Sequence, residues 1–121
     1  MPSEKYYLDK IKRSLNSDLI GIKGGVETLT VTGSITTLTP PTNAVYCTIQ
    51  LESSITSGVA CRAWQTGDTP TTTTGMPKTN LAIWDITGAQ NMTQFKITQA
   101  TAGTHTLQIE YFCTNYTGTG N

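Results

Sequence analysis

Residues 44–52 read AVYCTIQLE, and this stretch decides how the rest of the chain is understood. Val45, Cys47, Ile49 and Leu51 fall on one parity, and Tyr46, Thr48 and Gln50 on the other. Side chains of an extended chain point alternately to its two faces, so a period of two marks a strand with one apolar and one polar side. The same period recurs on both sides of this stretch. ETLTVTG (27–33) alternates apolar residues with Thr, ITTLT (35–39) follows, and Pro40-Pro41-Thr42-Asn43 makes the turn into the central strand.

Downstream, VACRAWQ (59–65) is a strand with Val59, Cys61 and Ala63 on one face and Arg62 and Trp64 near the other. TGDTPTTTTGMPKT (66–79) reads as a long loop, punctuated by Gly67-Asp68, Pro70, Gly75 and Pro77. NLAIWDIT (80–87) is a strand, GAQN (88–91) a turn and MTQFKIT (92–98) a strand. QATAGT (99–104) closes a hairpin, and HTLQIEYFC (105–113) ends the series with Leu107, Ile109, Tyr111 and Cys113 on one face. Seven or eight short strands at regular intervals predict a mainly β fold, an antiparallel β-sandwich or jelly-roll-like domain.

The only helical period lies at the front. Leu8, Ile11, Leu15 and Leu19 recur at spacings of three and four, beside Tyr6 and Tyr7. Ser3 is placed to cap this short amphipathic α-helix and Glu4 suits its first turn. Gly21, Gly24 and Gly25 are read as its end and as a flexible hinge. The chain therefore divides into residues 1–25, an N-terminal helix and glycine hinge acting as an attachment arm; residues 26–113, the sandwich; and residues 114–121, a flexible C-terminal tail. Tyr6, Tyr7, Leu8, Ile11, Leu15 and Leu19 are the candidate partner-binding residues, since an apolar helix stripe must be buried on its own body or on a neighbour.

Composition narrows the function. Thr fills 25 of 121 positions, charged residues make up 13%, and the formal net charge is zero. Phosphate-backbone binding needs clustered surplus Lys and Arg, so no nucleic-acid partner is expected. The charges divide unevenly: residues 1–25 hold five Lys and Arg against three Asp and Glu, and the remainder three against five. No run approaches the roughly 18 apolar residues of a membrane helix, so no membrane partner is expected. The start MPSEKYYLDK has no apolar stretch of signal-peptide length. Cys47, Cys61 and Cys113 sit in apolar strand runs and read as buried free thiols.

No residue set suggests an active site. His105 stands alone at the start of a strand and reads as a surface residue without an acid–base partner. No two cysteines have CxxC spacing, so no metal site is expected, and no nucleotide, lipase or calcium signature occurs. TPTTTTG (69–75) lacks the glycines and lysine of a phosphate loop. Catalytic residues, cofactor and metal are all expected to be none. Trp64, Trp84, Phe95, Tyr111 and Phe112 are expected mostly in the core, while an exposed Trp64 or Trp84 on a flat face would suit a carbohydrate-binding module.

The run AVYCTIQLESSITSGVACRAWQTGDTPTTTTGMP, followed by NLAIWDITGAQNMTQFKITQATAGTHTLQIEYF, resembles small β-sandwich virion structural proteins (head decoration or head–tail) of tailed bacteriophages. The pattern is a strand ending in Arg62-Ala63-Trp64, a loop from Gly67-Asp68-Thr69-Pro70-Thr71 to Gly75-Met76, a strand with Phe95-Lys96-Ile97 and a last strand ending in Tyr111-Phe112. It spans about residues 28–113. The resemblance implies a non-enzymatic protein made in the host cytoplasm and built into the virion, most simply a head decoration or cement subunit on the capsid. A neck or tail adaptor, collar or fibre-anchoring protein is the alternative. The implied partners are the major capsid protein or other virion proteins, with a homo-oligomer of the chain itself.

Overall fold

The structure is a computed structural model and describes residues 19–114. The alternating stretch becomes β3 (Tyr46–Ser53), with Cys47, Ile49 and Leu51 buried and the residues between them half-covered. Around it stand β1 (Leu19–Val31), β2 (Thr36–Thr37), β4 (Cys61–Trp64), β5 (Met76–Lys78), β6 (Ile83–Thr87), β7 (Lys96–Gln99) and β8 (His105–Thr114). One helical turn and a half, α1 (Ala89–Gln94), joins β6 to β7.

The strands form two antiparallel sheets in the orders β1-β8-β3-β6 and β2-β7-β4-β5. The chain thus pairs its first strand with its last, its second with its seventh, its third with its sixth and its fourth with its fifth. Cross-sequence pairing on this scale leaves the central strands β3 and β8 flanked on both sides. There Cys47 lies opposite Tyr111, Ile49 opposite Ile109 and Leu51 opposite Leu107. These side chains meet Cys61, Ala63 and Ile97 of the second sheet, with Phe95 and Met92, in one buried cluster. Each fully buried aliphatic or aromatic side chain contributes about 1.5–3 kcal/mol relative to exposure, so this cluster is what joins the two sheets.

The start of the sandwich differs from the expected hinge. Leu19 is not the last turn of a helix; it is the first residue of β1 and pairs with Thr114. Ile20 pairs with Cys113 and Gly21 with Phe112, the register then breaks, and pairing resumes at Val26 opposite Glu110. Residues 22–25 therefore form a bulge within a continuous strand. Glycine is needed there for geometry rather than for flexibility. Gly24 has φ +78°, and a Cβ on Gly25 would stand 2.8 Å from the Ile22 Cβ and 3.0 Å from its carbonyl oxygen. Thr114, expected as the start of a loose tail, closes the β1–β8 ladder. The expected helix up to residue 18, with Tyr6, Tyr7, Leu8, Ile11 and Leu15, and the tail from residue 115 lie outside the described residues.

Two further differences have local causes. Residues 89–94 are helical where a turn and the start of a strand are expected from sequence. Met92 and Phe95 are three residues apart, a helical interval, and both are buried. Gly88 at φ +100° turns the chain into this helix, and its N–H donates to the Val45 carbonyl at 2.7 Å. The expected loop 66–79 contains the edge strand β5, whose Met76 lies opposite Ala63 and whose Lys78 lies opposite Cys61.

The bulge gives a direct test. Gly25→Ala is expected to lower unfolding free energy by about 1–3 kcal/mol through overpacking against Ile22. Gly21→Ala, whose Cβ would meet the Phe112 ring at an ordinary 3.7 Å, is expected to leave it nearly unchanged. Urea denaturation of the two variants measures both, and equal tolerance at both positions would restore the hinge.

Candidate binding face

Burying one parity of β3 and β8 forces the other parity outward. On the first sheet this outer side carries Val26, Thr28 and Thr30 from β1, Thr106, Gln108, Glu110 and Phe112 from β8, Tyr46, Thr48, Gln50 and Glu52 from β3, and Ile83, Asp85 and Thr87 from β6, as the register requires. Cross-strand neighbours then line up in rows. Val26, Glu110, Thr48 and Asp85 make one row; Thr28, Gln108, Gln50 and Ile83 make the next.

The second row is laced by hydrogen bonds. Thr28 Oγ1 donates to Gln108 Oε1 at 2.9 Å, Gln108 Nε2 donates to Glu52 Oε1 at 3.0 Å, and Gln50 Nε2 donates to the Leu81 carbonyl at 3.3 Å. These bonds hold long amide side chains flat along the sheet. Between the two rows runs a half-open groove of about 430 Å³, floored by Thr48, Gln50, Gln108 and Glu110 and walled by Val26 and Ile83. Beyond the first row Tyr46 and Phe112 meet edge to face, ring centroids 5.4 Å apart. Burial, followed by the neighbouring Asp85 carboxylate, pushes the Tyr46 phenol up to about 12.

Charge is sorted between the sheets. Among the described residues Glu27, Glu52, Asp85 and Glu110 belong to the first sheet, and Arg62, Lys78 and Lys96 to the second, with Lys23 in the bulge. β3, β6 and β8 hold no Lys or Arg. Glu27 turns inward at the sheet edge, where its carboxylate accepts from the Tyr111 hydroxyl and, at 3.0 Å, from the Thr39 N–H. Burial first, and this carboxylate second, raise the Tyr111 phenol well above its ordinary range.

The second sheet uses Arg62 and Lys78 internally. Arg62 donates from Nη1 to the Gly75 carbonyl at 2.9 Å and from Nε to the Thr72 carbonyl at 3.3 Å, fastening the threonine loop to β4. Within that loop Thr71 Oγ1 accepts from the N–H groups of Thr73 and Thr74. The repeated Thr is thus a turn-forming device. Lys78 Nζ stands 4.2 Å from the centre of the Trp84 ring, and burial lowers its pKa. Trp84 faces inward from β6, tilted against Phe95 at 6.4 Å between centroids. The ring that a stacking sugar would need is thereby covered by Lys78 and Phe95. Trp64 is half-buried beside Lys96 on the second sheet, and Phe112, expected in the core, lies on the outer face instead.

His105 is also not where the sequence suggests. It is fully buried, in the same inward parity as Leu107, Ile109 and Tyr111. Its Nε2 meets the Thr101 carbonyl at 2.7 Å, so Nε2 carries the proton, and Nδ1 meets Ser53 Oγ at 2.9 Å. Both ring nitrogens are thus taken up in tying the 99–104 hairpin to β3. Among the described residues no group of three or more His, Cys, Asp or Glu is arranged to hold a metal ion. Comparison of the chain with protein-family models, curated proteins and solved structures gives no match.

The buried thiols set an alkaline limit. Burial pushes Cys47 up to about 12 and Cys61 up to about 11, from an ordinary 9.0. Unfolded thiols ionise near 9 while the folded ones do not, so their contribution is complete below about 9 and is lost as pH climbs towards 11–12. Urea midpoints measured from pH 8 to 11 are expected to fall across that window, less steeply in Cys47→Ala. A thiol reagent at pH 8 is expected to label only the half-buried Cys113 in the folded protein.

Proposed function

We propose that the chain is a non-enzymatic virion structural protein that occupies a repeated site in a particle of a tailed bacteriophage. Its place is the capsid surface, as a head decoration or cement subunit, in contact with the major capsid protein and with copies of itself. The single observation that carries this reading is the outer face of the first sheet. Its long side chains are laced by cross-strand hydrogen bonds, and it carries exposed Val26 and Ile83 among Thr, Gln and the acids Glu52, Asp85 and Glu110. The Thr and Gln that separate the acids are less strongly hydrated than charged side chains, so those parts of the surface approach another protein at modest desolvation cost. Exposed aliphatic groups rimmed by polar ones mark interaction surfaces.

Two other features support the particle setting. The strand orders β1-β8-β3-β6 and β2-β7-β4-β5 amount to one long hairpin rolled upon itself. That is the order of a jelly roll, an architecture that recurs in viral capsid proteins and in lectins. Fold kind alone assigns no function. The pattern over residues 28–113 adds the resemblance to virion proteins. Weak contacts of a small face become durable in a lattice, where each copy is held at high effective concentration by its neighbours.

The test is quantitative proteomics of purified particles from cells that make the chain, combined with imaging of the intact particle. A copy number that matches the capsid lattice, with density on its outer surface, is the expected result. A copy number matching a single ring moves the protein to the neck or tail. Absence from purified particles overturns the proposal.

A further inference from the structure

We propose that the acidic outer face of the first sheet is the receptor for residues 3–18 of a second copy of the chain. The face offers two kinds of contact in one place. Glu110, Asp85 and Glu52 outnumber the one described cation of this sheet, Lys23 in the bulge of β1, and β3, β6 and β8 hold no Lys or Arg. Val26 and Ile83, each 65% exposed, stand on its two edge strands and wall the groove between them. A ligand for this face needs cations interleaved with aliphatic or aromatic groups.

Residues 3–18 supply that chemistry. Lys5, Lys10, Lys12 and Arg13 outnumber Glu4, Asp9 and Asp18, and Tyr6, Tyr7, Leu8, Ile11 and Leu15 are interspersed with them. Val26 and Ile83, open on the face, leave it accessible to a second copy, and the isotope pattern of the cross-links below separates that occupant from the segment of the same chain. The outer face cannot pair with itself, since two acidic surfaces repel. A segment of one copy seated on the face of the next is a head-to-tail contact, which repeats through an assembly and closes into a ring where the geometry allows. The inference concerns the purified chain alone, so it stands or falls independently of where the protein resides in a particle.

The experiment mixes equal amounts of ¹⁵N-labelled and unlabelled full-length chain, joins amines to carboxylates with a zero-length carbodiimide, and identifies the joined peptides by mass spectrometry. The expected result is linkage of Lys5, Lys10 or Lys12 to Asp85, Glu110 or Glu52 in mixed-isotope pairs, lost at about 1 M salt, where the Debye length is about 3 Å. Same-isotope pairs alone, meaning a chain folded on its own face, overturn the inference, as does the absence of these linkages. Light scattering gives the second measurement. Asp85→Lys with Glu110→Lys is expected to reduce the oligomer to monomer, and adding Lys10→Glu with Lys12→Glu to restore it. A reversal that leaves the oligomer intact overturns the inference, and if the Lys variants fail to fold, the linkage pattern of the unaltered chain decides.

Discussion

Two strands from distant parts of the sequence, β3 and β8, lie side by side, with Ile49 opposite Ile109 and Leu51 opposite Leu107. Almost everything else in the molecule follows from that register. It places Cys47, Tyr111 and His105 inward and Thr48, Gln50, Gln108 and Glu110 outward. A slip by one residue would exchange the two sets, putting amides and carboxylates in the core. The same constraint therefore makes the core and lays out the face. It also explains why the face is so regular: its residues are the leftover parity of the strands that bury the most.

The register is guarded at both ends. At one end His105 ties β8 to Ser53 and to the preceding hairpin through both ring nitrogens. At the other, the Tyr111 hydroxyl reaches Glu27 on β1, and Glu27 in turn holds the Thr39 N–H on the path from β2 to β3. A buried hydroxyl bonded to a carboxylate is costly to leave unpaired. These links rule out shifted pairings more than they add to the total stability.

The strands were legible where alternation is unbroken, as in residues 44–52 and 105–113. Legibility failed where one signal stood for two structures. Three glycines between a helical period and a strand period read as a hinge, but positive φ at Gly24 and close approach at Gly25 serve equally well to bulge a strand, and only pairing with residues 110–114 distinguishes the two. Met92 and Phe95 sit in a stretch too short for either period to dominate. His105 was misplaced by residue type, although extending the parity of Leu107 back by two would have placed it inside. The candidate face was half legible. Its polar parity is in the sequence, but the meeting of Val26 with Ile83 across one groove, and the sorting of acids onto one sheet and of all described cations but Lys23 onto the other, depend on the strand order.

On the proposed reading the outer face of the first sheet, rather than the second sheet, is the surface used in assembly. Hydroxyl-radical footprinting measures it directly by comparing side-chain oxidation in the assembled protein with that in the dilute free chain. Met76, exposed on the second sheet, serves as the reference. Val26 and Ile83 are expected to become protected on assembly while Met76 is oxidised as before. Unchanged oxidation of Val26 and Ile83, with protection appearing at Met76, would contradict it.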